Sequence, residues 1–228
     1  MKRSTKIIIA VLAVFLVGFI IYWNIPEHVF AREISQLRSI YSSDNHGNLN
    51  TLLNRTLARG EWGDLESAVK QYVKNRCEAL DELETIQSDE ELTTALDVDK
   101  IRANGPEFSQ ILEKLKTSKQ TLESSREKYR KVQSVDAATD AFASNLNDSL
   151  KERYKNELNN VFAEEKPGTN NADAFKMLQG MIETYIAELK LLAKNPKTYD
   201  ASGKELKFSD ANVKKDYYAI LEKVKTIK

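Results

Sequence analysis

Two Ser-x-x-Lys pairs are the candidates for nucleophilic catalysis in this sequence. Ser67 precedes Lys70 by three positions, and Ser125 precedes Lys128 by the same interval. On a helix this spacing brings a hydroxyl and an amine together, as some acyl-transfer enzymes require. The chain lacks the Lys-Thr-Gly element that accompanies this pair in penicillin-recognising enzymes. Such spacing is also common by chance in a Lys- and Ser-rich helical chain, so we predict no enzyme and no catalytic residue.

Metal-ligand residue types are few and scattered. The histidines are His28 and His46, and the single cysteine is Cys77, whereas a zinc site needs several such residues at set spacing. Asp97-Val98-Asp99 resembles the start of a calcium loop, but Lys100 follows where another oxygen ligand and then glycine belong. One cysteine also excludes an intramolecular disulfide. We therefore predict no metal site and no cofactor.

The segment Arg59-Gly60-Glu61-Trp62-Gly63 is the strongest candidate for recognition. A Trp between two glycines in a loop can anchor a partner, because Trp offers a large contact area at low entropic cost. The alternative is that Trp62 closes the end of a helical bundle, which the rarity of exposed Trp in monomers favours. The candidate binding residues are Arg59, Glu61 and Trp62.

The N-terminal region predicts a membrane anchor. Ile7 to Trp23 is a run of 17 residues without a charge, preceded by Lys2, Arg3 and Lys6. A helix of this length spans about 26 Å, close to the thickness of a hydrocarbon core. Cations before the run predict a cytoplasmic N-terminus, and Tyr22 and Trp23 suit an outer aromatic belt.

A cleaved signal peptide is the alternative to this anchor. Val29-Phe30-Ala31 offers small or modest residues at the positions that a cleavage site needs, so the mature chain would begin at Arg32. Signal peptides usually have an apolar run of only about 7–15 residues, which favours the uncleaved anchor. Either way the remaining domain lies across the membrane, on the periplasmic or cell-surface side.

Composition favours long helices and excludes a nucleic-acid partner. Glycine (8) and proline (4) are scarce and charged residues make up 30%, which is unlike a turn-rich sandwich or barrel. The 34 basic residues balance 34 acidic ones; without the three N-terminal cations 31 remain, a net charge near −3. No basic excess is left to neutralise phosphates.

Helical periodicity predicts an all-α fold: one transmembrane helix, then an elongated antiparallel bundle with a small hairpin-like loop before the last helix. The predicted organisation is a cytoplasmic tail (1–6), the anchor (7–23), a juxtamembrane helix (24–47) and the bundle (48–228). Asp64 is expected to cap one helix, and Ser209 or Asp210 the last.

Three elements of the bundle are predicted in more detail. A heptad-like seam of inward residues runs from Phe108 to Val132 and includes Ser118 and Ser125. A single helix is expected from Phe142 to Val161. Thr198 to Phe208 predicts a small hairpin or an extended loop, with Ser202-Gly203 as the turn.

Together these features predict a single-pass envelope protein that acts as a structural or accessory subunit by binding a protein partner. A ligand-sensing bundle is the second hypothesis. It would have to signal through a partner, because a cytoplasmic tail of six residues is too short to signal alone. A hydrolase using Ser67 or Ser125 is the third.

Overall fold

The computed structural model describes residues 22–42, 48–162 and 171–225, and within them the chain is all-α. Ten helices and one two-stranded hairpin are present in these ranges. The elements are α1 (Pro26–Tyr41), α2 (Leu49–Leu53), α3 (Glu61–Ser88), α4 (Glu90–Thr93), α5 (Val98–Asn104), α6 (Ser109–Arg130), α7 (Val135–Phe142), α8 (Asp148–Phe162), α9 (Asn171–Lys194), β1 (Tyr199–Asp200), β2 (Lys207–Phe208) and α10 (Ala211–Lys225).

The chain divides into two compact units. Unit 1 comprises residues 1–75 and 131–165, and unit 2 comprises residues 76–130 and 166–228. Helix α3 therefore contributes its first half to unit 1 and its second half to unit 2.

Unit 1 contains α1, α2, the first half of α3, α7 and α8. Pro26 begins α1, which is favourable because proline lacks only an N–H that the first turn leaves unpaired anyway. Helices α1 and α2 pack together, as do α7 and α8. The largest side chains of this unit that are almost fully buried are Phe30, Ile34, Leu37, Leu65, Tyr154 and Leu158.

The single helix predicted from Phe142 to Val161 is wrong, because the segment forms two helices. Helix α7 ends at Phe142 and α8 begins at Asp148. The side-chain oxygen of Asn147 accepts a hydrogen bond from the backbone N–H of Leu150 at 3.0 Å, which starts a new helix there. The apolar stripe continues across the break, and this continuity explains the error.

Unit 2 is organised around α9, which packs against α6 and α10. The predicted inward seam of α6 is confirmed at Ile111, Leu115, Leu122 and Ser125, all of which are buried. The helix itself begins at Ser109, after Phe108, whose φ of 55° is incompatible with an α-helix. The core of unit 2 also includes buried residues of α3, α4, α5 and α9, among them Leu83, Leu92, Ile101, Phe175, Ile182, Leu189 and Leu192.

The predicted hairpin is confirmed, with Tyr199 opposite Phe208 and Asp200 opposite Lys207. Arg102 of α5 holds its turn: Nε donates to the carbonyl of Ala201 at 2.7 Å, and Nη2 donates to that of Gly203 at 2.8 Å. Asp210 caps α10 by accepting from the N–H groups of Asn212 and Val213. A hairpin this short needs such supports, since two strands alone are marginal in water.

Among the helices of the described ranges, none is both long enough and apolar enough to cross a membrane. Of the predicted anchor, Ile7 to Trp23, only the last two residues fall inside those ranges.

Candidate functional site

Arg59, Glu61 and Trp62 lie where the non-helical segment after α2 enters α3. Gly60 has a φ of 59°, a left-handed conformation that glycine adopts without strain. Its carbonyl accepts hydrogen bonds from the N–H groups of Gly63 and Asp64, so α3 begins at Glu61. Asp64 is consequently an exposed residue of the first turn, and the prediction that it caps the helix is wrong.

Gly63 is required for a close approach between two parts of the backbone. A Cβ atom at this position would lie 2.7 Å from the carbonyl oxygen of Ala58, well inside van der Waals contact. The residues just before Gly60 therefore fold tightly back onto the first turn of α3. Gly60 and Gly63 are therefore required for different reasons: Gly60 for its left-handed backbone conformation and Gly63 for the close approach of Ala58.

The three candidate side chains differ in their surroundings. The ring of Trp62 is half-buried and packs against Phe30 in a tilted arrangement, with 5.4 Å between ring centroids. Oε2 of Glu61 accepts a hydrogen bond from Nδ2 of Asn147 at 3.1 Å. Arg59 is exposed and has no ion pair among the described residues, and the nearby Leu57 is 45% exposed. One basic and one apolar side chain thus face solvent within five residues of a partly covered aromatic ring in the sequence.

A buried carboxylate, Glu66, holds the backbone beneath this surface. Its side chain is completely inaccessible to solvent. Its oxygens accept from the N–H of Ala58 at 2.8 Å and from the N–H of Leu57 at 3.1 Å. These hydrogen bonds offset the cost of burying the carboxylate. They also give the two backbone N–H groups, which lie outside a helix, the partners they would otherwise lack.

Lys70 completes the network from one turn further along α3. Its Nζ atom donates to Oε1 of Glu66 at 2.6 Å and to the carbonyl of Arg55 at 2.9 Å. It also donates to Oε2 of Glu33, on α1, at 3.2 Å. All three donors of the ammonium group are therefore used, each on a different element of unit 1.

Arg55 balances the remaining charge. It contacts Glu33 in a fork, with Nε 3.2 Å from Oε2 and Nη2 3.0 Å from Oε1. Two carboxylates and two cations therefore form a neutral cluster with most of its hydrogen-bonding capacity satisfied. Such a cluster stabilises one particular geometry more than it stabilises folding overall. Here that geometry is the course of residues 54–60.

Sequence reasoning missed this network, although one signal was available. Glu66 and Lys70 are four residues apart in the favourable order for a helical ion pair. Glu33 immediately precedes the inward residue Ile34, but nothing in the pattern marks it as buried. The Ser67–Lys70 spacing does not produce a hydrogen bond between the two side chains: among the described residues Lys70 bonds to other partners, and Ser67 accepts a long contact from Gln71.

The second Ser-x-x-Lys pair is also engaged elsewhere. Ser125 is fully buried and donates toward Glu82 or the carbonyl of Thr121. Partial burial alone would lower the pKa of Lys128, but its hydrogen bonds to Glu82 and Glu78 raise that pKa above its ordinary value. A lysine held in the charged form is a poor base for activating a serine.

Other residues singled out by the sequence do not come together. No group of three or more His, Cys, Asp or Glu side chains in the described ranges could hold a metal ion. His28 stacks on Tyr22 at 4.2 Å, and His46 lies outside those ranges. Asp97 and Asp99 are exposed, and Asp99 pairs with Arg102. Burial and the nearby Asp81 raise the pKa of the Cys77 thiol to about 11, which disfavours a reactive thiolate.

No protein-family model, curated protein or solved structure matches this chain, so the residues themselves carry any functional argument.

Proposed function

We propose that this chain is a single-pass membrane protein, anchored by Ile7 to Trp23, whose extracytoplasmic helical domain binds a protein partner as a structural or accessory subunit. The domain would correspond to the antiparallel bundle that the sequence predicts. The observation that carries the proposal is the buried ionic network of Glu33, Arg55, Glu66 and Lys70. It fixes a non-helical segment whose outward side chains suit recognition.

The geometry of that segment favours binding. Trp and Arg are enriched among residues that dominate interface energies, and Trp62 and Arg59 lie close together in the chain. Rigid presentation lowers the conformational entropy lost on association, which increases affinity without new contacts. The network supplies that rigidity through hydrogen bonds to backbone atoms of Arg55, Leu57 and Ala58.

An uncleaved anchor is supported by the residues just before the possible cleavage site. Phe30 is completely buried and stacks on Trp62, and Val29 is also buried. Cleavage after Ala31 would remove both from the core of unit 1. Deleting a buried Phe side chain alone costs about 3–5 kcal/mol, so the folded domain depends on residues that cleavage would discard.

The residues that follow the apolar run suit a lipid interface. Tyr22, Trp23 and Ile25 are all exposed, an uncommon cluster for a water-facing surface. The guanidinium carbon of Arg32 lies 5.0 Å from the centre of the Trp23 ring. Aromatic rings and cations of this kind are enriched at the boundary between hydrocarbon and water.

Site-specific photocrosslinking in intact membranes tests the proposal. A photoreactive residue at Arg59 or Leu57 is expected to give one discrete adduct, and the same residue at exposed Ser144, in the same unit, is expected to give none. N-terminal sequencing of the membrane-extracted protein is expected to find residues before Arg32. Equal labelling from all three positions, or a mature start at Arg32, would overturn the binding surface or the anchor respectively.

A further inference from the structure

Glu188 is a carboxylic acid buried without a partner in unit 2. Its side chain on α9 has no accessible surface, and neither Oε1 nor Oε2 has a hydrogen-bond partner among the described residues. Buried polar groups are almost always hydrogen-bonded, and an ionised carboxylate in such a position is far more costly than a neutral one. The packing around Glu188 therefore strongly favours the protonated form of its carboxyl group.

Among the described residues, no cation forms a hydrogen bond or ion pair with Glu188 that would offset a negative charge there. Burial alone raises the pKa of Glu188, to about 8. Three cations of α6 that lie toward α9 or α4 have other partners. Lys119 pairs with Glu183, and Lys114 pairs with Asp89 and Glu91. The guanidinium group of Arg126 donates to the side-chain oxygen of Gln179 at 2.9 Å.

The described charges on the α10 side are directed to solvent as well. The exposed residues are Lys214, Lys215, Asp216 and Glu222 of α10 and Asp200, Lys204, Glu205 and Lys207 of the hairpin. Among the described residues, the titratable groups whose pKa Glu188 changes are two tyrosine phenols. Burial first, and then the charge of Glu188, raise the pKa of Tyr217 on α10 and that of Tyr185 one turn earlier on α9.

Helix α10 buries fewer of its described side chains than α6, the other long helix that packs on α9. Of its described side chains only Val213 and Tyr217 are buried, whereas α6 buries Ile111, Leu115, Leu122 and Ser125. Elements with few buried apolar contacts open at lower free energy than the rest of a domain. Separation of α10 from α9 is therefore the least costly route by which the carboxyl group could reach water.

We propose that Glu188 is a proton-dependent latch: while its carboxyl group is neutral α10 stays packed on α9, and ionisation favours a state in which α10 has separated. This inference goes beyond the proposed membrane function and does not depend on it.

The latch has a defined pH window. In the opened state Glu188 is solvated and titrates near its ordinary value of 4.5, whereas in the closed state it holds its proton until about pH 8. Between these values opening releases one proton, so the opening equilibrium shifts about tenfold per pH unit. Above that window both states are ionised and the shift levels off.

Hydrogen exchange followed by mass spectrometry on the full chain tests the latch. Wild type and Glu188→Gln are compared at each pH from 5 to 9, so that intrinsic exchange rates cancel. Peptides covering α10 are expected to lose about tenfold protection per pH unit up to pH 8 in wild type and to show no such trend in Glu188→Gln. At every pH they are expected to be less protected than peptides covering α6.

Two results would overturn the latch. In the first, the ratio of α10 protection in wild type to that in Glu188→Gln does not change with pH. In the second, α10 and α6 are equally protected, which would mean that unit 2 opens as a whole. If Glu188→Gln fails to fold, the ¹³C carboxyl resonance of Glu188 in wild type serves instead. An inflection near pH 8 supports the proposal, and one near 4.5 rejects it.

Discussion

The ammonium nitrogen of Lys70 lies 2.6 Å from Oε1 of Glu66, one turn earlier on α3, and both side chains are almost completely buried. The same nitrogen reaches Glu33 on α1 and the carbonyl of Arg55. One cation thus connects two helices with the segment that carries Arg59. Removing it would leave two buried carboxylates with a single positive partner.

Lys70→Met is therefore expected to destabilise unit 1 by about 3–5 kcal/mol, because an uncompensated buried charge remains. Urea unfolding followed by Trp fluorescence measures this, since Trp23 and Trp62 both belong to unit 1. Lys74→Met is the matched control: Lys74 is exposed on the same helix and makes one long hydrogen bond to Asn54. Equal effects of the two substitutions would contradict a structural role for the network.

The two glycines of the segment are expected to respond differently to alanine. Gly63→Ala forces a Cβ atom against the carbonyl of Ala58 and should displace the start of α3. At Gly60 there is space for a Cβ atom, but the left-handed conformation costs about 1–2 kcal/mol. Gly60→Asn should recover part of that loss, because Asn tolerates this conformation. Thermal unfolding of the three variants should rank Gly63→Ala lowest, and any other ranking would contradict the close approach.

Phe30→Ala is expected to cost about 3–5 kcal/mol, the usual range for a large aromatic removed from a core. The change should also shift the emission of Trp62 to longer wavelength, because the ring on which it stacks is gone. Ser35→Ala, an exposed site on α1, is the control and should leave both quantities unchanged. A small effect at Phe30 would remove the structural argument against cleavage after Ala31.

Glu188 predicts that stability falls as pH rises. Its folded pKa, raised by burial to about 8, exceeds its ordinary value near 4.5, so the folded state retains a proton that the unfolded state releases. This contribution is complete below about pH 4.5 and is lost progressively up to about pH 8, at about 1.4 kcal/mol per pH unit. Glu188→Gln should lack this slope. Urea unfolding followed by circular dichroism gives the free energy of unfolding of both proteins at each pH, and their difference isolates the contribution of Glu188 from that of other titrating groups. If the two free energies changed with pH in parallel, the prediction would be contradicted.

Local patterns in the sequence were sufficient for much of the fold. Apolar residues at helical spacing predicted the inward face of α6, and the burial of Ile111, Leu115 and Leu122 confirms it. Asp210 was recognisable as a possible cap because a capping side chain needs only the next three residues. The hairpin was predictable from its turn. The break between α7 and α8 was not predictable, since the apolar stripe continues across it and does not show where one helix ends and the next begins.

The anchor, the extracytoplasmic location and the protein partner stay predictions, because they depend on residues 1–21 or on molecules outside the chain. The candidate residues Arg59, Glu61 and Trp62 likewise await the crosslinking experiment. What the fold adds is a physical reason to test them, namely a buried network that fixes their segment.

The sequence by itself determined which residues could face a core, since helical periodicity is a local property of the chain. Only the tertiary structure decided which charges are buried and with whom. Position 188 lies on the inward stripe of α9, three residues after Tyr185 and four before Leu192, yet its charge suggests exposure. Likewise, Lys70 carries equal local evidence for Ser67 and for Glu66 as neighbours. Burial and pairing depend on residues far apart in sequence, such as Glu33 and Arg55, and packing brings these together only when the chain has folded.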